Sequence, residues 1–311
     1  MNRRGPKPCS VKFTAILIAG VLLVGQIPAF GWGPDGHTYV NQVAAEKIPA
    51  SMPAFLRTNA ATARIAYLGP EPDRWRGKAE YALNNAQSPD HFIYLERIKG
   101  LGDLPRGRYE FYELLYAKRA SAKSSPDDYL PENVGLQPYI TMEIFERLRA
   151  AFREYRILKQ AGQPTDPVEQ DIIFYAGWMG HYVADGAQPL HTTIQHDGWV
   201  GANPNGFTTV PGIHWRFEND FVHPNIHAKD FAALVNPPQR LLDPFQDYLH
   251  YLRMSYGFVE QVYDFDKKKA FDGPGTPESL KFTTERLSAG AQMLLNLWYT
   301  AWLQSGEIEK D

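Results

Sequence analysis

The amino-acid sequence predicts an all-α fold, a single multi-helix domain with long loops. Apolar residues recur at helical spacing along most of the chain. Between Thr141 and Leu158, for example, Ile144, Phe145, Leu148, Phe152 and Tyr155 share one face. Strand-type alternation is scarce. Pro53 and Pro167 stand where helices would open, a position that tolerates a missing backbone N–H.

Taken in order, the first helix is expected after Gly36, carrying Val40, Val43 and Ala44. A second is expected from a Ser51 cap through Leu68. Residues 99–135 are rich in Gly, Pro, Ser and charge and read as an excursion, with a short helix over Tyr109–Lys118. The Thr141–Leu158 amphipath follows. The next helix opens at Pro167, runs through Ala184 and is expected to be ended by Gly186 and Pro189. Residues 195–212 hold Gly198, Gly201, Pro204, Gly206, Pro211 and Gly212 and read as a long loop, either a binding loop or a surface connection. Leu241–Tyr263 and Pro277–Trp302 complete the helices. There is no internal repeat, and Lys267–Lys269 reads as a solvated turn.

The first 31 residues read as a secretory signal peptide. Arg3, Arg4, Lys7 and Lys12 precede an apolar run over Phe13–Gly25, and Ala29-Phe30-Gly31 offers small residues for cleavage. The run is short for a membrane span. Cleavage after Gly31 would leave residues 32–311 as the mature domain, secreted or periplasmic, with Trp32 first. Loss of four positive charges and no acid takes the net charge from −3 to −7. Duplex-DNA binders carry a basic footprint, which such a chain lacks. Cys9, the single cysteine, lies in the signal and precedes the apolar run, so it is not placed as a lipid acceptor. The mature chain has neither disulfides nor thiolate metal ligands, and any metal must be held by His, Asp, Glu or backbone groups.

Two spacings suggest such a metal. In His181-Tyr-Val-Ala-Asp185 a histidine and a carboxylate four apart share a helix face, and His191 follows the predicted break. In His214-Trp-Arg-Phe-Glu218 the pairing repeats. One such pair is ordinarily a surface ion pair. Two pairs with a histidine between them, in apolar and aromatic surroundings, form a donor set for a borderline dication. Neither pair is a His-Glu-x-x-His protease motif.

With Trp-Gly-Pro-Asp-Gly-His at 32–37 behind the cleavage site, these motifs resemble the zinc-dependent phospholipase C and single-strand-specific nuclease superfamily. The likeness covers most of the mature chain as an ordered set of motifs. It implies three zinc ions in a cleft between helices. The first would be held by Asp73, His91, His181 and Asp185. The second would be held by the amino nitrogen and carbonyl oxygen of Trp32, by His37, and by Asp185 as a bridge. The third would be held by His191, His214 and Glu218. Asp73, in Pro-Asp-Arg-Trp-Arg, resembles the family's Asp-x-x-Arg, which makes Arg76 the phosphate clamp. Asp73, Arg76 and Asp185 are then the expected catalytic residues, with Asp73 and Asp185 accepting hydrogen bonds from the attacking water. His91, in Asp-His-Phe-Ile-Tyr, resembles the family's His-Phe-Ile-Asp, which makes Phe92 a candidate stacking surface and places Tyr94 where the nuclease branch has a carboxylate. Glu218 is the carboxylate of the phospholipase branch, whereas nucleases usually have Asp there. The remaining histidines, His196, His223, His227 and His250, match no motif and read as loop or surface residues.

The resemblance implies metal-dependent hydrolysis of phosphodiester bonds. The expected substrate is single-stranded nucleic acid or nucleotides, cut as an endonuclease with a possible 3′-nucleotidase activity. Trp75 and Trp199 are further candidate stackers. Phospholipase C action on phospholipid headgroups and a non-catalytic zinc-binding role are the alternatives. No obligate protein partner is evident.

Overall fold

A computed structural model of the protein describes residues 32–77 and 79–307. The expected signal peptide, with Phe13–Gly25, lies outside the described residues. Among the described residues there is no β-strand, and the chain is all-α. No helix among them is long and apolar enough to cross a membrane.

Eight α-helices of nine residues or more form the frame among the described residues: α1 (Gly33–Glu46), α2 (Asn59–Leu68), α3 (Arg108–Ser121), α4 (Gln137–Gln160), α5 (Asp166–Ala187), α6 (Pro244–Tyr256), α7 (Val259–Lys267) and α8 (Pro277–Gln304). Helix α5 is the central one and packs against α1, α2, α4, α6 and α8. Every residue from Met179 to Thr193 is buried. A helix enclosed on all sides needs neighbours that approach closely, and its glycines permit this. A Cβ on Gly180 would lie 1.7 Å from Asn41 Oδ1, and one on Gly177 would lie 2.5 Å from Leu68 Cβ. Asn41, wholly buried on α1, donates to the carbonyls of Ile65 (2.8 Å) and Gly177 (2.9 Å), joining α1, α2 and α5. Net, such hydrogen bonds contribute about 1 kcal/mol each, but a stranded buried amide would cost about 1–3 kcal/mol.

The predicted helices are present with altered boundaries. Helix α1 opens at Gly33, before Gly36, so His37 falls inside it. Residues 51–68 do not form one helix. A 3-10 turn over Ala54–Arg57 is followed by extended Thr58, whose side chain accepts from Ala61 N and caps α2. Residues 241–263 are likewise divided, with α6 ending at Gly257 and α7 restarting after Phe258. Gly186 does not end α5. The helix continues to Ala187, and Gly186 instead admits Tyr251, Leu252 and Tyr248 against its backbone. The 99–135 excursion is firmer than its composition suggests: α3 spans 14 residues and sinks Phe111 and Leu115 fully into the core.

Candidate metal centre

The carboxylate of Asp185, fully buried on the last turn of α5, lies at the middle of the site. Its Oδ2 is 3.2 Å from His91 Nδ1 and 3.4 Å from His181 Nε2. Its Oδ1 is 3.4 Å from His37 Nε2 and 3.9 Å from His191 Nε2. Asp73, on the short helix Glu71–Arg74, closes the first side, with Oδ1 3.9 Å from His91 and 3.8 Å from His181. On the other side, Glu218 Oε1 stands 3.2 Å from His191 Nε2 and 2.7 Å from His214 Nε2.

Three groups of donors therefore converge: His37, His181 and Asp185; Asp73, His91 and His181; and His191, His214 and Glu218. All eight predicted side-chain ligands fall within them. His181 lies within reach of both of the first two groups, and its ring stacks on His37 at 4.0 Å, so the division between those groups is less sharp than the resemblance implies.

Four of the histidines are held by acceptors on their far nitrogens. His181 Nδ1 donates to Gly69 O (2.8 Å), His191 Nδ1 to His91 O (2.6 Å), His214 Nδ1 to His196 O (2.9 Å) and His91 Nε2 to Gln87 Oε1 (2.8 Å). Each bond fixes the tautomer and turns the opposite nitrogen's lone pair inward. His91 Nδ1 and His181 Nε2 consequently face each other at 2.9 Å, and His191 Nε2 and His214 Nε2 do so at 3.1 Å. Lone pairs this close, beside carboxylates, repel unless a cation or proton lies between them. Donor atoms about 2.0–2.2 Å from a tetrahedral ion lie about 3.3–3.6 Å from one another. The observed separations bracket that value, so the donor set fits metal ions.

Proton affinities describe the same strain. Burial pushes Asp185 up to about 8, with His191 opposing and Glu218 adding. Burial likewise pushes Asp73 up to about 8, against the pull of His37 and Arg76. Burial carries His91 and His181 well below the ordinary imidazole range, so both are neutral. At the third group burial loses to pairing: His214 is raised by Glu218, and Glu218 is held at about 2 by His214 and His191.

The local backbone explains the convergence. Gln188 caps a 3-10 turn over Pro189–Thr192 through Leu190 N (2.6 Å), and the turn swings His191 back toward α5. Its amide also donates to Glu218 (2.6 Å). His214 and Glu218 straddle a change from α-helix (Ile213–Trp215) to π-helix (Arg216–Phe221), a widened turn that often accompanies functional sites. Trp32 starts α1 in the left-handed region, with its ring buried and Nε1 donating to Ala184 O (2.8 Å). Its main chain is thereby anchored one residue from Asp185. A depression of about 560 Å³ opens beside it, bordered by Trp32, Asp35, Trp215, Glu218, Asn219 and His223.

Arg76 is largely buried beside the centre, with Nη1 3.7 Å from Asp73 Oδ1. Phe92 is half-buried and stacks on Tyr94 at 4.4 Å; Tyr94 in turn stacks on His196 and shares a hydrogen bond with its Nδ1 (3.1 Å). One face of Phe92 is thus in use, and Tyr94 is engaged by both Phe92 and His196. His196 is part of this stack rather than a surface residue, and burial lowers it to about 4. His223, His227 and His250 are exposed, as expected. Trp75 packs on Trp178, and Trp199 packs on Phe207 and Tyr263, pinning the 195–212 loop. Gln87, Gln188 and the acceptor carbonyls of Gly69, His91 and His196 were missed: the carbonyls leave no mark in sequence, and the two glutamines act through contacts whose partners are distant in the chain or set by a turn.

No protein-family model matches this chain, and no curated protein matches it.

Proposed function

We propose that this chain is an exported zinc-dependent phosphodiesterase of the phospholipase C and single-strand-specific nuclease superfamily, acting first on single-stranded nucleic acid. The observation that carries the proposal is the convergence of inward lone pairs from tautomer-fixed histidines on three buried carboxylates centred on Asp185. Zinc suits thiol-free, histidine-rich donor sets. Zinc ions held by these groups, with the main chain of Trp32, would supply Lewis acidity to a phosphate ester and acidify a water toward neutrality.

The chain's own residues do the rest. Asp185, with one oxygen toward each side, serves two groups at once. Gly69, Gln87, His91 and His196 hold the imidazoles in their ligating tautomers. Arg76 stands beside Asp73, which aligns it, and would present a planar guanidinium to phosphate oxygens. Burial of the donors excludes bulk water and strengthens each of these interactions.

A second reading is favoured by the opening. Trp32, Trp215, Pro34 and Pro224 give it apolar walls, and Asp35 and Asp220 add carboxylates. Aromatic faces with acids suit a quaternary ammonium headgroup better than a nucleobase. Both readings are tested by hydrolysis of single-stranded DNA and of phosphatidylcholine, side by side, by protein beginning at Trp32, with EDTA and with zinc restored. EDTA-sensitive, zinc-restored cleavage of DNA supports the first reading, and cleavage of lipid alone supports the second. Activity on neither refutes both and leaves the zinc-binding role.

A further inference from the structure

The 99–135 excursion reaches the metal centre without touching it. Its helix α3 is fixed to the core by Phe111, which stacks on Tyr139 of α4 at 4.6 Å. From the first turn of α3, Arg108 extends to two carboxylates on different elements. Nη1 donates to Asp90 Oδ1 at 3.0 Å, while Nε and Nη2 donate to the two oxygens of Glu143 on α4 at 2.8 and 3.3 Å. Asp90 is buried and immediately precedes His91 in a single 3-10 turn, Ser88–His91.

We propose that Arg108 is a positioning residue for the metal centre, holding Asp90 and through it the His91 ring against Asp185 and His181. This rests on the reading of His91 as a metal ligand. The turn that carries His91 is too short to set its own orientation, since only four residues form it. Its position is set in part from outside, and the end of the excursion with the residue that follows it supplies restraints. Leu136 N donates to Pro89 O (2.7 Å) and Tyr94 N to Val134 O (2.8 Å). Gly135, at φ 93°, lies so close that a Cβ there would stand 2.2 Å from Phe92 O. The backbone ties fix the turn's height, and the Arg108 fork fixes its rotation, because a guanidinium gripping two carboxylates admits one geometry. A ligand displaced by a fraction of an ångström weakens metal binding, and supporting groups of this kind are worth about 10–100-fold in affinity. The excursion is thus a brace behind the ligand turn rather than a lid over the cleft.

The test compares wild type with Arg108→Gln, Arg108→Lys and Arg119→Gln, the last removing an exposed pair with Asp127 on the same excursion. Zinc release to a coloured chelator and the visible spectrum of the cobalt-substituted protein are measured, with metal-free thermal midpoints as the folding control. Arg108→Gln should release zinc from one site about tenfold faster and alter the cobalt bands. Arg108→Lys should recover part of both, and Arg119→Gln should match wild type. Wild-type release and spectrum in folded Arg108→Gln overturn the brace. Should that variant fail to fold, Glu143→Gln, which loosens the fork from a half-exposed position, takes its place: faster release supports the brace and unchanged release overturns it. Wild-type protein that binds neither zinc nor cobalt overturns the metal reading itself, and the brace with it.

Discussion

Replacing Asp185 by Asn separates the role of this residue in the fold from its role toward metal. The substitution keeps the side chain's shape and removes its charge. Burial holds the carboxyl at about 8, above its ordinary value, so near neutral pH the folded chain without metal carries it protonated while the unfolded chain ionises it. The unfolded state then binds fewer protons, and this group's contribution to metal-free stability is full below the ordinary carboxylate range and lost as pH rises through about 8. Asn ionises in neither state and carries no such loss. Its amide can also donate into the lone pairs of His91, now 3.2 Å from Oδ2, or of His37, 3.4 Å from Oδ1. Metal-free Asp185→Asn should therefore be at least as stable as metal-free wild type at pH 7.

With zinc the order reverses. Zinc at 1,000 times its dissociation constant stabilises a protein by about 4 kcal/mol. At about 2–4 °C per kcal/mol for a large domain, wild type should gain on the order of 10 °C. Asp185→Asn should lose most of that gain, because the residue faces donors of all three groups, and it should lose more than His37→Ala. Thermal unfolding with EDTA and with zinc, alongside zinc per chain by elemental analysis, reads both halves. Full zinc uptake and a full thermal shift in Asp185→Asn would refute the bridging role. A metal-free variant far less stable than wild type would refute the protonated carboxyl.

Gln87→Leu removes the acceptor that turns His91 Nδ1 inward, and zinc affinity at that site should fall about 10–100-fold by competition titration while the metal-free midpoint moves little. The zinc-induced thermal shift should grow between pH 6 and pH 8.5, since Asp73 and Asp185, both near 8, must release protons to ligate; a shift flat with pH would oppose this. One residue added before Trp32 should lower zinc content and hydrolysis by the His37 side of the centre, and unchanged zinc content and rate would remove the terminal amine from the ligand set.

The parts of the site legible in sequence were those whose geometry is local. Four-residue spacing on a helix places His181 with Asp185, and His214 with Glu218, whatever the surrounding fold. Long helices were legible for the same reason, since the face of α4 repeats for six turns. The helix breaks were not, because at Thr58 and Gly257 a cap outcompetes continuation, and the apolar pattern runs through both points. The excursion misled through composition. Glycines and charges mark its ends, but Phe111 and Leu115 anchor its middle. Gly186 misled differently, because a glycine that admits a neighbour reads in sequence like one that ends a helix.

The charge of the centre connects the fold to the chemistry. Burying Asp73 and Asp185 would be costly if nothing balanced them, and their unusually high proton affinity expresses that cost, whereas Glu218 is already paired with His214. Under the proposed loading, three dications would bring six positive charges against three carboxylates, leaving the centre positive by three, with Arg76 adding a fourth beside Asp73. A single dication would leave it negative by one and repel a phosphodiester. Loaded in this way, a chain of net charge −3, or −7 without residues 1–31, would have a way to attract an anionic substrate without a basic surface. The arrangement also accounts for His181 and Asp185 standing on the enclosed C-terminal half of α5. In low dielectric each of those charges would act on a phosphate more strongly than in water, and the close packing of α5, made possible by Gly177 and Gly180, encloses the two donors it carries.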